Sequence, residues 1–92
     1  MIYPIVSIRD RKTCFMTPTV DTNLSAAVRN FSHAVQNADT VLYSHAQDFS
    51  LYHIGDFDAD TGVLTPVFPV KFLCEAQDFA SDERRGGELH GS

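Results

Sequence analysis

A short basic cluster stands out among the residues suited to binding chemistry. Arg9, Arg11 and Lys12 lie close together in the chain, and the aromatic residues Tyr3 and Phe15 flank them. Lys and Arg side chains pair with phosphate groups, and aromatic rings stack on nucleobases, so this combination is typical of contacts to single-stranded nucleic acid. A solvated turn after a first strand explains the same residues structurally. We predict a nucleic-acid-binding site at Arg9, Arg11, Lys12, Tyr3 and Phe15, with the solvated turn as the alternative.

The charge distribution restricts how this chain can hold a nucleic acid. The net charge is −5 over 92 residues. Residues 1–30 carry four basic and two acidic side chains, whereas residues 31–80 carry only Lys71 against seven carboxylates. Nonspecific nucleic-acid binding is driven mainly by Lys and Arg contacts that release counterions. Any DNA contact must therefore use the cluster at residues 9–12, or several copies of it in an oligomer.

Three alternating carboxylates, Asp56, Asp58 and Asp60, resemble the start of an EF-hand calcium loop. That loop needs glycine at its sixth position and a bidentate glutamate at its twelfth. Thr61 and Val67 stand at those positions here. An acidic hairpin turn accounts for the stretch, and we predict no metal site in it.

The remaining cysteine, histidine and serine residues form no recognisable catalytic or metal-binding pattern. Cys14 and Cys74 lie far apart, and the four histidines lack the short spacing that zinc ligands show. Adjacent Ser44 and His45 are not accompanied by a nucleophile elbow or a phosphate-binding glycine loop. We expect no enzymatic activity, no cofactor, and two reduced, partly buried thiols.

The first half of the chain predicts a strand, a short second strand and a helix. Residues 2–9 are apolar on both alternating sides, which is typical of a covered strand. Residues 13–17 predict a second short strand that Pro18 ends. Residues 21–23 are helix-capping types, and apolar residues then recur at spacings of three and four up to Ala38. This amphipathic helix of about fifteen residues is the clearest element, and Asn37 and Asp39 are its two predicted terminators.

The second half predicts two further strands around a turn. Residues 40–48 are irregular, with room for one helical turn, and residues 49–57 predict a strand. Gly62 suits the turn that follows. Residues 63–73 are apolar, but Pro66 and Pro69 cannot donate to a ladder, so they form an edge strand or two short strands with a break.

These elements predict an α+β fold: a small, mainly antiparallel sheet of three to four strands with one amphipathic helix packed on one face. Parallel pairing between the first strand and residues 49–57 stays an alternative. Residues 1–80 are expected to form a single domain, and residues 81–92 a flexible C-terminal tail. No apolar run approaches the roughly 18 residues that a membrane span needs, so no membrane contact is expected.

The central segment resembles a known viral family. Residues 43–58 read YSHAQDFSLYHIGDFD and are followed by Thr61-Gly62. They are similar to the small nonstructural protein of gokushovirus-type microviruses, which are bacteriophages with circular single-stranded DNA. The opening at residues 7–10 and the helix phrase at residues 27–31 are similar too, so the resemblance covers about residues 3–70. The sequence departs at Ala46-Gln47, where the family favours Pro-Glu.

The resemblance implies a role rather than a reaction. It implies a nonstructural bacteriophage protein of the host cytoplasm, an accessory or regulatory binding protein in viral single-stranded DNA replication. Its expected partners are single-stranded DNA and phage or host replication proteins. The acidic balance of residues 31–80 leaves an alternative, a protein–protein adaptor or host-interaction factor with no direct DNA contact.

Self-association is also predicted. One helix can cover only one face of the sheet, yet the first strand and residues 63–73 are apolar almost throughout. The second face, or the edge near Pro66 and Pro69, should then expose more apolar surface than a small monomer usually does. We expect a homodimer or larger homo-oligomer, which would also multiply the basic cluster.

Overall fold

The computed structural model describes residues 1–80. They form a four-stranded antiparallel sheet with a few helices, which is an α+β fold. The tail predicted at residues 81–92 lies outside the described residues. No helix in the described part is both long and apolar enough to cross a membrane. In chain order the elements are β1 (Ile2–Asp10), β2 (Thr19–Val20), α1 (Leu24–Gln36), α2 (Val41–Ser44), a 3₁₀ turn (Ala46–Asp48), β3 (Phe49–Asp58) and β4 (Leu64–Glu75); residues 76–80 are again helical.

The strands lie in the order β2-β1-β3-β4, and each neighbouring pair is antiparallel. The parallel alternative for β1 and β3 is therefore wrong. β1 and β3 pair along their whole length, from Ile2 opposite Asp58 to Asp10 opposite Phe49. β4 pairs on the far side of β3 and is an edge strand, as predicted from its prolines.

The short second strand lies after Pro18, not before it. β2 is Thr19–Val20, and it pairs with Ile5 and Val6 of β1. Of the predicted residues 13–17, Phe15 alone forms a bridge, to Arg9. Because Pro18 has no N–H to donate, the ladder is interrupted there and resumes beyond it.

Helix α1 confirms the clearest element of the prediction, although it ends two residues earlier than predicted. The Asn23 side chain accepts a hydrogen bond from the backbone N–H of Ala26 at 2.7 Å, which caps the helix start. Asn37 is the C-terminal cap, and the helix ends at Gln36 rather than at Ala38. The buried residues Ala27, Phe31 and Val35 recur at intervals of four, so they lie on one stripe of the helix.

The buried core joins this stripe to the sheet. Phe31 is only 4 % exposed, and its ring meets that of Phe79 edge to face, with 6.3 Å between centroids. The helical residues 76–80, which the sequence did not predict, therefore close one side of the core. The core cluster comprises Val6, Ala27, Phe31, Val35, Leu42, Ala46, Phe49, Leu51, Cys74, Ala76 and Ala80.

Two glycines shape the hairpin of β3 and β4. Gly62 has a φ of 78°, the left-handed conformation expected from the turn pattern. At Gly55 an added Cβ would lie 3.0 Å from the carbonyl oxygen of Thr65 in β4. The close approach of the two strands therefore requires glycine at position 55, and the β1–β3 register shifts beside it.

β4 leaves its partner strand for four residues. Gly55 pairs with Pro66, and the next pair is His53 with Lys71, so residues 67–70 form an excursion from the ladder. The Phe68–Pro69 peptide bond within it is cis. Phe68 is 93 % exposed. β4 is one continuous edge strand, Leu64–Glu75, with a shift in its pairing, so the edge-strand alternative is confirmed and the alternative of two short strands with a break is wrong.

Candidate nucleic-acid interface

One side of the sheet carries aromatic and basic side chains. Because side chains alternate along a strand, Tyr3, Ser7 and Arg9 of β1 point to the side opposite the core residue Val6. Cross-strand pairing brings Phe15 beside Arg9 on that side. We call this side of the sheet the aromatic face. Its members used below are Tyr3, Ser7, Arg9, Phe15, Tyr52 and Phe72.

Three rings form a row across the middle of this face. Tyr52 of β3 pairs with Ser7 of β1 and with Phe72 of β4. Its ring contacts Phe15 at 5.5 Å and Phe72 at 5.8 Å between centroids, edge to face in both cases. Phe15 is 40 % exposed and Phe72 is 52 % exposed. This aromatic row, Phe15–Tyr52–Phe72, therefore offers open ring surface on both sides of a fixed central tyrosine.

Hydrogen bonds from β1 hold Phe15 in position. The hydroxyl of Ser7 donates to the carbonyl of Met16 at 2.7 Å, and the N–H of Met16 donates to the carbonyl of Ile8 at 2.7 Å. The N–H of Asp10 donates to the carbonyl of Cys14 at 2.9 Å. The segment that carries Phe15 is thus fixed against β1 on both sides of the ring.

The three predicted cations have different environments. Arg9 is exposed, and its guanidinium carbon lies 5.9 Å from the centroid of the Phe15 ring. Arg11 makes two 3.1 Å hydrogen bonds to the carboxylate oxygens of Glu75. The Lys12 ammonium lies 3.9 Å from a carboxylate oxygen of Asp48. Within residues 1–80 only Arg9 of this cluster has no carboxylate within ion-pair distance.

Tyr3 lies at the other end of the aromatic face. It pairs with Phe57, whereas Arg9 pairs with Ser50 near the opposite end of β3. Six residues of extended strand span about 20 Å. The structure therefore brings Arg9 and Phe15 together, places Arg11 and Lys12 beside them in ion pairs, and leaves Tyr3 apart. Tyr3 as a binding residue stays a prediction.

Tyr52 and Phe72 were missing from the predicted site. Leu51 and Tyr52 alternate across the sheet, and of the two only Leu51 is buried in the core. The row depends on the register of β4 against β3, which shifts between Leu51 and Tyr52. Alternation within residues 49–52 could have indicated the face of Tyr52, whereas the partner Phe72 could not be found without that register.

The carboxylates of the acidic turn, Asp56, Asp58 and Asp60, pair with other groups of the protein. Asp56 contacts the Nε2 of His53 at 3.0 Å, while Asp60 accepts a hydrogen bond from the N-terminal amine of Met1. Asp58 accepts from the N–H of Asp60, and this bond holds the pKa of the Asp58 carboxyl below its usual range. Asp56 thus takes a partner of its own, whereas the carboxylate of Asp58 lies 3.9 Å from the same Met1 amine that pairs with Asp60, at the hairpin end of the sheet.

The two cysteines differ in exposure. Cys14 is exposed, so the expectation that both thiols are partly buried is wrong for this residue, which lies in the loop between β1 and β2. Cys74 is buried in the core, and burial, with the nearby carboxylates Asp78 and Glu75, raises the pKa of its thiol to about 11.

Fold and site together define a class: a small α+β protein whose β-sheet presents an exposed aromatic row beside Arg9, an arginine with no carboxylate of residues 1–80 within ion-pair distance. The family model described as Phage ORF5 protein matches residues 3–79, most of the chain, and the chain belongs to this family. It is thus a phage protein. No curated protein matches it, and neither does any solved structure.

Proposed function

We propose that this chain is the nonstructural protein of a gokushovirus-type microvirus and that it binds single-stranded DNA on the aromatic face during viral DNA replication. The proposal includes an accessory or regulatory role without enzymatic chemistry, exercised in the host cytoplasm. Membership of a phage protein family and the resemblance of residues 43–58 support the viral assignment. We further propose that α1 covers the opposite face of the sheet, which leaves the aromatic face free for the ligand.

The observation that carries the DNA proposal is the aromatic row with Arg9 at its end. Proteins that bind single strands without sequence preference combine stacking rings with a cation that follows the backbone. Phe15 and Phe72 offer half-exposed rings, and Arg9 is the cation beside them that no carboxylate of residues 1–80 neutralises. A base stacked on Phe15 would place its phosphate near Arg9, and a neighbouring base could stack on Phe72 at the other end of the row.

Truncating the exposed rings tests the stacking component. Phe72→Ala and Phe15→Ala should each weaken binding to a labelled single strand of roughly 16 nucleotides by about 5- to 150-fold, the loss expected for one stacked base. Fluorescence anisotropy at low salt measures this. Val41→Ala, which truncates an exposed apolar residue on α2, is the control and should leave binding unchanged. Equal affinities for all four proteins would refute stacking on the row.

A charge reversal tests the phosphate contact. Arg9→Glu should weaken binding and reduce the slope of log affinity against log salt by about 0.7, the loss of one phosphate contact on a single strand. Arg29→Glu is the matched control, because Arg29 is an exposed arginine of α1 outside the aromatic face. If both reversals weaken binding equally, the protein attracts DNA only through its overall charge, and the site at Arg9 is wrong.

The charge asymmetry favours one other function, an adaptor for a basic protein partner. Carboxylates dominate residues 31–80, and Asp58 and Asp60 lie together at the hairpin end of the sheet. Acidic surfaces attract basic partners with steering that weakens in salt. If the anisotropy of the labelled strand does not change when wild-type protein is added at low salt, the protein makes no direct DNA contact. The adaptor function would then be favoured.

A further inference from the structure

Phe68 is an aromatic side chain with almost its whole surface in solvent. It is 93 % exposed, the highest value among the large apolar residues of the described part. It lies in the excursion of residues 67–70 on the edge strand β4. Buried aromatic anchors dominate the energetics of many protein interfaces. We call this residue the Phe68 knob. Its exposed ring could serve as such an anchor if a partner surface buried it.

The other edge of the sheet carries a cavity that suits a phenyl ring. It has a volume of about 160 Å³ and lies between α1, β1 and the segment that contains β2. Its floor includes the buried residues Val6 and Phe31, while the exposed residues Thr17 and Thr19 contribute to its rim. An apolar cavity of about 150 Å³ takes up benzene in a well-studied engineered protein. This edge cavity is therefore large enough for the ring of a phenylalanine.

The knob and the cavity lie on opposite edges of one molecule. The sheet order β2-β1-β3-β4 separates the two edge strands by about 14 Å, so a second copy must supply the ring that enters the cavity. The flanking charges are complementary: Lys71 follows the knob three residues later, and Asp21 lines the cavity. Lys71 is the one cation of residues 31–80.

From these features we infer that chains join head to tail, with the Phe68 knob of one chain in the edge cavity of the next. Such a contact uses two different surfaces, so each added chain presents a new free knob and the assembly stays open or closes as a ring. A phenylalanine ring buries about 150–250 Å², well below the roughly 800 Å² per partner of a standard interface. The contact is therefore weak, and assembly should become visible only at high protein concentration. It requires no nucleic acid and is independent of the proposed DNA binding.

Sedimentation velocity of the full chain without DNA tests the inference. The wild-type average mass should rise with concentration and pass that of two chains. Phe68→Asp removes the knob and Ala34→Phe fills the cavity, which Ala34 lines; each variant alone should stay a single chain. Thr17→Phe fills the rim and replaces Ala34→Phe if circular dichroism shows that variant to be unfolded. Leu64→Asp, an exposed apolar residue outside both surfaces, should assemble like the wild type.

Mixing the two variants decides between one-way and symmetric contacts. The Phe68→Asp chain keeps its cavity and the Ala34→Phe chain keeps its knob. An equimolar mixture should therefore form dimers that contain one chain of each variant, and nothing larger. A wild-type protein that remains a single chain at about one hundred micromolar would overturn the inference. A wild-type dimer that grows no further, with no dimer in the mixture, would also overturn it, because that result means a symmetric contact.

Discussion

Truncating Phe31 should destabilise this fold far more than the same change at Phe72. Phe31 is 4 % exposed and contacts the Phe79 ring, whereas Phe72 is 52 % exposed on the aromatic face. Phe→Ala in a core costs about 3–5 kcal/mol. At Phe72 roughly half of the burial of a phenylalanine is lost, about 1 kcal/mol.

These costs must be compared with the total stability. Eighty ordered residues correspond to about 4–12 kcal/mol of unfolding free energy. Phe31→Ala therefore brings the protein close to unfolding in water, and Phe31→Leu, at about 1–1.5 kcal/mol, keeps the loss measurable. Urea unfolding followed by far-ultraviolet circular dichroism is the assay.

With a urea slope of about 1 kcal/mol per molar, Phe31→Ala should lower the midpoint by about 3 M or more and Phe72→Ala by about 1 M. The DNA affinities should have the opposite order when each variant is measured under conditions where it is folded. Equal midpoint shifts for the two alanine variants would show that the assignment of core and exposed face is wrong.

Three further outcomes follow from local contacts. At about pH 8 a maleimide reagent should modify Cys14 quickly and Cys74 only after unfolding. Cys74 is buried, and because the pKa of its thiol is about 11, only roughly one part in a thousand is thiolate at this pH. Modification of both thiols at one rate in the folded protein would contradict this. Gly55→Ala should lower the unfolding free energy by about 1–2 kcal/mol, since the new Cβ would press on the Thr65 carbonyl oxygen at 3.0 Å; a rise in the thermal midpoint would mean that the strands separate easily. Asp58→Asn should lower the thermal midpoint at about pH 7 and leave it unchanged at about pH 2. The reason is that a carboxyl with a lowered pKa stabilises the fold above its usual titration range and loses that contribution as the pH falls. An equal loss at both pH values would point to a steric cause.

The helix and the long strands were predictable because their signals are local. Asn23 caps α1 as its side-chain type indicates, and the apolar stripe gives the buried residues Ala27 and Phe31. Gly62 adopts the positive φ expected of its turn. In each case, neighbours in the sequence alone determine the conformation.

The misplaced second strand and the missing members of the aromatic row both concern pairing between distant residues. β2 was placed before Pro18, although the β1 ladder continues at Thr19 beyond it. The residues of the aromatic row come from three segments, and Tyr52 meets Phe72 only through shifts in the β3–β4 register. Such shifts follow from how whole strands fit together, which periodicity within one strand does not report.

The partners of the basic cluster were hidden for the same reason. Arg11 and Glu75 are 64 residues apart in the chain, yet they form a two-hydrogen-bond ion pair. The sequence therefore predicted three equivalent cations, whereas the structure leaves Arg9 as the one beside an open ring.

An NMR titration of isotope-labelled protein with a short single-stranded oligonucleotide tests the central claim most directly, because it locates the ligand on the molecule. We predict that the ring protons of Phe15, Tyr52 and Phe72 and the amide of Arg9 shift most, at low salt and in proportion to bound DNA, while α1 resonances stay in place. Shifts confined to α1, or no shifts at saturating oligonucleotide and low salt, would contradict binding of single-stranded DNA on the aromatic face.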